Sequence, residues 1–294
     1  MKKVLITGAS GYLGMHLCRQ LSGLNIKSVG LFKTEKPDIK NIENVQFDIA
    51  DYSELKQLFE KYKFDLVYHL AAVTPVSSIE TSESYIRKIN VEATENICNL
   101  ANQHHSFLVF TSSDLVYAEG DDLKEDSPLN PLTIYSRTKI EAEEIIRKLS
   151  HQFVILRTAL MFGFTISARR SFFDTSYEML KRGERVKAFS DQYRSTLFVE
   201  DAARFLTRLP SITTSNEIIN FCGFEKLSRY EMVKQLAEVF EFDSNLVLPS
   251  SCEEFTDYPM VKNIGLSFEK MKKLGFIPKN YLENLRLMKK RMEH

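Results

Sequence analysis

The chain has 294 residues, 44% of them hydrophobic, and 39 basic side chains balance 39 acidic ones. That size and apolar share suit one large domain, or one with a smaller appendage, and the charge balance argues against a nucleic-acid or membrane-surface partner. The run before Gly8 is too short for a secretory leader, no stretch approaches the roughly 20 apolar residues of a spanning helix, and Cys18, Cys98, Cys222 and Cys252 lack metal-ligand spacing, so we expect a cytoplasmic protein with reduced thiols and no metal site.

In chain order, residues 3–7 read as a β-branched apolar strand, glycines follow at 8, 11 and 14, and Tyr12 to Leu21 carries apolar residues at helical spacing. Strand, glycine loop and helix in that order form the context a phosphate-binding motif requires. Glycine allows close backbone approach, and a helix N-terminus offers free N–H groups and a positive dipole end. A glycine-rich turn with no ligand is the competing reading. The second strand, Ile26–Phe32, ends without an acid at its tip, and Lys33 follows. An acid there would bond a ribose 2′-hydroxyl, so its absence beside a lysine leans towards a 2′-phosphate and NADP(H). Lys33 as a solvated loop charge, or Glu35 serving NAD(H) from a longer strand, are the alternatives.

Asn44–Asp48 reads as a third strand, Tyr52–Tyr62 as an amphipathic helix, and Asp65–Leu70 as a fourth strand entering the small-residue turn Ala71-Ala72-Val73. Small residues let a cofactor pass close above the strand ends, though a plain tight turn has the same composition. Asp48 would accept from an adenine amino group or cap the next helix. Ser82–His104 reads as one long helix with Asn90 inside it, where an amide either faces solvent or does a polar job. Phe107–Thr111 is a fifth strand, Ala118 to Leu132 a loop, and Phe153–Arg157 a sixth strand beyond a helix bearing Tyr135. This alternation implies an α/β fold, a doubly wound parallel sheet with ligand at the strands' C-terminal edge.

Beyond Gly163 the pattern loosens. Helices are expected at Phe172–Lys181 and Glu200–Leu209, extended segments at Arg185–Phe189 and Ser195–Val199, and a strand at Glu217–Phe221. Ser228 starts a capping box for a helix reaching Phe240, Ser267 caps another ending at Gly275, and 281–291 form a basic amphipathic helix. Residues 1–163 thus make a dinucleotide-binding Rossmann domain, and 164–294 a small α+β substrate lobe interleaved with it.

Tyr135 and Lys139 lie one helical turn apart on one face. An ammonium there favours the phenolate, lowers the tyrosine pKa towards the operating range, and reaches the ribose of a nicotinamide nucleotide. Ser113, at the end of a neighbouring strand, would bond a substrate carbonyl oxygen. Carbonyl, proton donor and hydride source together make a ketone reductase, or an alcohol dehydrogenase in reverse. A surface helix with a buried tyrosine is the bland reading of the same spacing.

These motifs resemble the extended short-chain dehydrogenase/reductases of the NAD-dependent epimerase/dehydratase type, over nearly the whole chain. The resemblance rests on Thr7 through Gly14, His69-Leu70-Ala71-Ala72, Asn90, Ser112-Ser113, Tyr135 through Lys139, and Leu156-Arg157 through Phe162-Gly163. It implies Ser113, rather than Ser112, with Tyr135 and Lys139 as the catalytic set, and Asn90 as a structural helix asparagine. The implied cofactor contacts are Gly8, Ser10, Gly11, Tyr12, Leu13, Gly14, Lys33, Asp48, Ile49, Ala71, Ala72 and Lys139. Thr111 through Tyr117, Ser127 through Leu132, Asp191-Gln192 with Ser195-Thr196, and Leu266-Ser267 through Leu274-Gly275 are most similar to the dTDP-4-dehydrorhamnose reductase branch. Leu115 after Asp114 breaks the acid pair of the dehydratases, while Arg194 resembles an arginine that epimerases use on substrate pyrophosphate. The resemblance therefore implies a 4-keto nucleotide-sugar reductase, with a 4-epimerase or a non-catalytic nucleotide-binding regulatory subunit as rivals. It also implies a homodimer packed through the helices around 82–104 and 133–149.

Overall fold

A computed structural model describes residues 3–74, 81–167, 170–254 and 260–293. The first half alternates β1 (Val4–Thr7), α1 (Tyr12–Gly23), β2 (Ser28–Phe32), β3 (Ile42–Gln46), α2 (Tyr52–Tyr62) and β4 (Leu66–His69). Next come α3 (Glu83–Arg87) and α4 (Ala93–Gln103), joined by a π turn at Lys88–Glu92. β5 (Phe107–Ser113), β6 (Gly120–Leu123), α5 (Ile134–Leu149), β7 (Phe153–Thr158) and β8 (Leu160–Phe162) follow. The remainder runs α6 (Phe172–Lys181), β9 (Val186–Phe189), β10 (Tyr193–Phe198), α7 (Val199–Ile212), β11 (Glu217–Phe221), β12 (Lys226–Ser228), α8 (Arg229–Val239), β13 (Val247–Ser250), β14 (Asn263–Leu266), α9 (Glu269–Lys273) and α10 (Tyr281–Met292).

Seven strands pair in parallel in the order β11-β7-β5-β4-β1-β2-β3. Every residue of β1, β2 and β4 is buried, as a parallel sheet covered on both faces requires. The period of two sends Val4 and Ile6 into a cluster with Leu13 and Leu17 of α1 and Phe205 and Leu206 of α7. It sends Leu5 into the opposite cluster with Leu55 of α2, Ile97 of α4 and Ile146 of α5. The fold is a doubly wound Rossmann-type α/β sheet. Strand order reverses between β1 and β4, so the loops leaving them border one crevice.

The second half builds a smaller layer in which β12-β10-β14-β6 pair in a row and β8 joins β10. β9 pairs with β13, and Phe162, Phe173, Leu236 and Leu285 share its apolar core. It is not a separate run of chain: after residue 163 the chain returns to the large sheet, where β11 pairs with β7. Among the described residues no helix is long and apolar enough to cross a membrane.

Three local expectations are corrected. The stretch 118–132 is not all loop, because Gly120–Leu123 pairs with β14. Only Leu123 of those four residues is buried, so a long-range partner rather than local pattern makes that strand. The 82–104 helix is interrupted by the π turn that contains Asn90. Ser267 caps nothing: its hydroxyl has no hydrogen-bond partner, and α9 starts after Phe268 without a side-chain cap. By contrast, Ser228 forms the expected reciprocal capping box with Glu231.

Candidate functional site

The glycine loop lies at the sheet's switch point. Gly8 has φ +68°, and a Cβ there would fall 2.8 Å from the backbone nitrogen of Ala71, the first turn residue after β4. A Cβ on Gly14 would meet the Gly8 carbonyl oxygen at 2.1 Å, so glycine lets α1 seat directly on the loop. Gly11 is the N-cap of α1 and supplies no side-chain cap. The first-turn N–H groups and positive helix end are thereby left for an external acceptor, which suits a pyrophosphate. Ser10 in this loop is part-exposed, as are Ala71, which packs against Gly8, and Ala72 after it. Leu13 and Ile49, expected as contacts, are buried in the two apolar clusters. The Tyr12 hydroxyl donates to the Gly163 carbonyl at 2.7 Å, tying α1 to the chain after β8.

Beneath the cradle runs a buried relay. The Ala71 N–H donates to Thr7 Oγ1 (3.2 Å), which lies 2.8 Å from His69 Nδ1. His69 Nε2 lies 2.9 Å from Thr94 Oγ1, whose hydroxyl donates to the Asn90 carbonyl. Because Thr94 gives its proton to that carbonyl, Nε2 is the donor there, and in the neutral ring Nδ1 is then the acceptor facing Thr7. Burial, aided by Lys139, pushes His69 down to about 3. The Asn90 side chain accepts from Val73 N–H (2.8 Å) and donates to Val73 O and Thr138 Oγ1. Its polar job is to join the turn after β4 to the tyrosine-bearing helix. A π turn at that point is the kind of local widening often found at functional sites.

Helix α5 starts where the chemistry needs it. Thr133 accepts from the Ser136 N–H at 3.1 Å while the Ser136 hydroxyl accepts from Thr133 N–H at 3.0 Å, a closed capping box. Tyr135 and Lys139 follow on the helix, 8% and 2% exposed. The Tyr135 phenol is close enough to Ser113, the last residue of β5, for the serine to act on its ionisation. Ser113 Oγ accepts from Leu115 N–H at 3.2 Å and lies 3.3 Å from Asp114 Oδ1. The neighbouring Ser112 points to the other face of β5, and its hydroxyl has no partner. Lys139 Nζ sits 4.3 Å from the centre of the Phe110 ring and 6.0 Å from that of Tyr135.

The expected electrostatics are corrected. Burial drives the Tyr135 phenol well above its ordinary value, the neighbouring Ser113 opposes this, and Asp114 adds to it. Burial also pushes the Lys139 ammonium down to about 7, with Glu143 opposing. Desolvation therefore outweighs the mutual attraction that spacing alone suggested. A lysine amine enclosed by aromatic rings is short of acceptors, and ribose hydroxyls would supply them. The cradle and this amine together fit a nicotinamide dinucleotide.

Lys33 and Asp48 are brought together rather than left to separate ligands. Lys33 Nζ lies 2.7 Å from Asp48 Oδ2, and the Tyr85 hydroxyl contacts the same ammonium while donating to Asp48 Oδ2 at 3.2 Å. Asp48 Oδ1 accepts from Ala50 N–H, and the cap of α2 is Asp51 rather than Asp48. β2 stops at Phe32, so Glu35 lies exposed in the following loop.

On the substrate side, Arg194 is 4% exposed. Its guanidinium donates to the carbonyls of Tyr193 (2.7 Å), Lys262 (3.2 Å) and Val261 (2.5 Å). Its Nε stands 3.9 Å from Asp114. Arg229, the first residue of α8, lies over the Phe172 ring at 5.0 Å and donates to Gln192. It is close enough that Arg194 and Asp114 both act on its charge. Arg194 thus stands beside the Asp114 carboxylate that follows Ser113, and the Arg229 charge lies within electrostatic reach of both. Sequence reading missed Arg229 and Tyr85, since neither sits at a motif spacing. A cavity of about 230 Å³ lined by Phe164, Thr165, Arg170 and Asp174 shares no residue with the Ser113–Tyr135–Lys139 set.

Known proteins similar to this chain in sequence or fold carry several different names. Methionine adenosyltransferase 2 subunit beta of Xenopus tropicalis is 25% identical over 284 residues, 93% of this chain and 83% of that protein. The structure of Bacillus anthracis dTDP-4-dehydrorhamnose reductase in complex with NADP superimposes with a TM-score of 0.80 at 23% identity, covering 97% of this chain and 98% of that one. MoeE5 in complex with UDP-glucuronic acid and NAD gives 0.85 at 23%, covering 99% of each chain. The family model described as the RmlD substrate binding domain matches residues 1–294, and the chain belongs to that family.

Proposed function

We propose that the chain is an NAD(P)H-dependent reductase of a 4-keto nucleotide sugar. The observation that carries this reading is the buried Tyr135 with Lys139 6.0 Å from its ring and Ser113 at the end of the neighbouring strand, in a fold whose glycine cradle fits a dinucleotide. The dinucleotide would supply hydride to the keto carbon. Ser113 orients the carbonyl oxygen, and Tyr135, held as a neutral phenol by its burial, donates the proton that oxygen receives. Lys139, whose burial weakens its hold on a proton, bonds the ribose hydroxyls and gains the acceptors it lacks. Arg229 and Arg194 supply the positive charge that favours a pyrophosphate-bearing substrate over a neutral sugar. Asp114 is followed by Leu115, which argues against a dehydratase.

The test is loss of reduced-nicotinamide absorbance with NADPH, then NADH, against a panel of 4-keto-6-deoxy nucleotide sugars. Oxidation with one member supports the reductase. Silence across the panel with NAD⁺ retained through purification favours a 4-epimerase, in which the same tyrosine removes and returns a proton. A non-catalytic, nucleotide-binding regulatory subunit is the second reading, favoured by the likeness to a protein named as an adenosyltransferase subunit. Co-purification with a catalytic partner would support it. We take the working form to be a cytoplasmic homodimer, and light scattering at micromolar concentration tests the dimer.

A further inference from the structure

We propose that Lys33, Asp48 and Tyr85 form a charge-neutral clamp that keeps the dinucleotide site from preferring a 2′-phosphate, so that NADPH and NADH bind with similar affinity and Asp48 sets that balance. The proposal rests on the dinucleotide reading of the glycine cradle. In a doubly wound sheet the end of β2 receives the adenosine ribose, where an acid bonds a 2′-hydroxyl and a cation accommodates a 2′-phosphate. Lys33 follows the last residue of β2, which on its own favours the phosphate. Its ammonium, however, is 2.7 Å from a carboxylate oxygen of Asp48, so the two formal charges sum to zero. A phosphate monoester brings about −1.5 to −2 charges at neutral pH. Its attraction to Lys33 is opposed by repulsion from a carboxylate one hydrogen bond away.

Asp48 is not free to step aside. Its Oδ1 accepts from Ala50 N–H at 3.0 Å, and its carbonyl accepts from Asp51 N–H at 2.8 Å, which pins the residue in the turn before α2. Tyr85 closes the arrangement from α3, its hydroxyl contacting Lys33 and donating to Asp48. Its ring also lies 4.8 Å from the ammonium. The lysine side chain is 57% exposed and the aspartate 32%, so water screens the pair and it contributes little to the fold. Its consequence lies in the charge presented at the strand tip. Tyr85 is a positioning residue in this scheme, acting on the phosphate only through Lys33.

The experiment measures dissociation constants of NADPH and NADH, by titration calorimetry on the full chain, for the wild type, Asp48→Asn, Lys33→Met, the double variant and Tyr85→Phe. We expect wild-type affinities within about tenfold of each other, and a gain of about tenfold for NADPH in Asp48→Asn with NADH changed about threefold or less. Lys33→Met should cost NADPH little in the wild type and should erase the gain in the Asp48→Asn background. Tyr85→Phe should move the ratio the same way as Asp48→Asn but less. An unchanged ratio in Asp48→Asn, or a wild type that binds NADPH at least about a hundredfold tighter than NADH, overturns the clamp while leaving the dinucleotide reading intact. Equal weakening of both nucleotides by Asp48→Asn also overturns it, because the carboxylate would then be serving the adenine. Binding of neither nucleotide to the wild type overturns the clamp together with the reading beneath it.

Discussion

Lys139 and Lys33 each lie near a tyrosine ring, at 6.0 Å from Tyr135 and 4.8 Å from Tyr85, and the two pairs behave in opposite ways. Lys139 is 2% exposed, and burial lowers its affinity for a proton, with only Glu143 opposing. Lys33 is largely in water, and the hydrogen bonds it donates to Asp48 and Tyr85 raise its affinity for a proton. Side-chain spacing in sequence says nothing of this, because the deciding variable is what surrounds the amine. One lysine is left wanting partners; the other already has them. The first arrangement suits a group that must engage a ligand during turnover, and the second suits a group whose charge must be silent.

The largest effect expected is on chemistry. Tyr135→Phe removes the buried phenol beside Ser113, and loss of a positioned general acid typically costs about 10²–10⁴ in rate. Steady-state turnover of the substrate found in the panel should fall by that range while dinucleotide affinity stays within a few-fold. Full activity in the variant would remove Tyr135 from the reaction. Glu143→Ala tests a third arrangement, burial and pairing together. Glu143 and Arg157 are each 4% exposed and 2.8 Å apart, and Arg157 also donates to the Glu125 carbonyl. Removing one member of a buried pair typically costs about 3–5 kcal/mol, so thermal or urea unfolding should show a large loss. A change below about 1 kcal/mol would mean that water reaches Arg157.

Lys139→Met is expected to do two things at once: abolish turnover and raise the melting temperature measured without added cofactor. Trading a poorly solvated amine for an apolar side chain of similar length removes a desolvation cost, and each kcal/mol recovered is worth about 2–4 °C in a chain of this size. The sign with pH follows from a folded value near 7 against an ordinary 10.5. Between those values the unfolded chain binds more protons than the folded one, so wild-type stability from this group rises with pH. The gap between variant and wild type should be widest below pH 7 and close as pH approaches 10.5. A constant gap would show that the amine is solvated.

Much of this was legible before any coordinates. The glycine loop, Ser113 and the Tyr135–Lys139 spacing are local patterns, and helices such as 52–62 and 172–181 announce themselves by apolar period and caps. What was not legible is set by long-range contact. β6 exists because β14 lies beside it, and Glu217–Phe221 belongs to the large sheet because β7 receives it. The Lys33–Asp48 pair joins residues 15 apart and Tyr85 a further 37 beyond, a meeting that no motif spacing encodes. Asn90 falls between the two cases: its odd place in a helix signalled a polar role, but the π turn and its bonds to Val73 and Thr138 required the packed structure. The electrostatics around Tyr135 were misjudged for the same reason, since spacing supplies the ion's proximity and only packing supplies its desolvation.

The smallest effect completes the comparison. Lys33→Met should leave the melting temperature within about 1–2 °C of wild type, because ion pairs this exposed usually contribute about 0–1 kcal/mol. With the ammonium gone, Asp48 keeps its bonds from Ala50 N–H and the Tyr85 hydroxyl, so the carboxylate remains solvated and satisfied. The same substitution, lysine to methionine, would then stabilise at 139 and do almost nothing at 33. Since the inserted side chain is identical, the difference isolates surroundings from residue type. A loss of several degrees at Lys33 would show that the clamp holds the turn between β3 and α2 together, and would recast Asp48 and Tyr85 as parts of the fold rather than of cofactor choice.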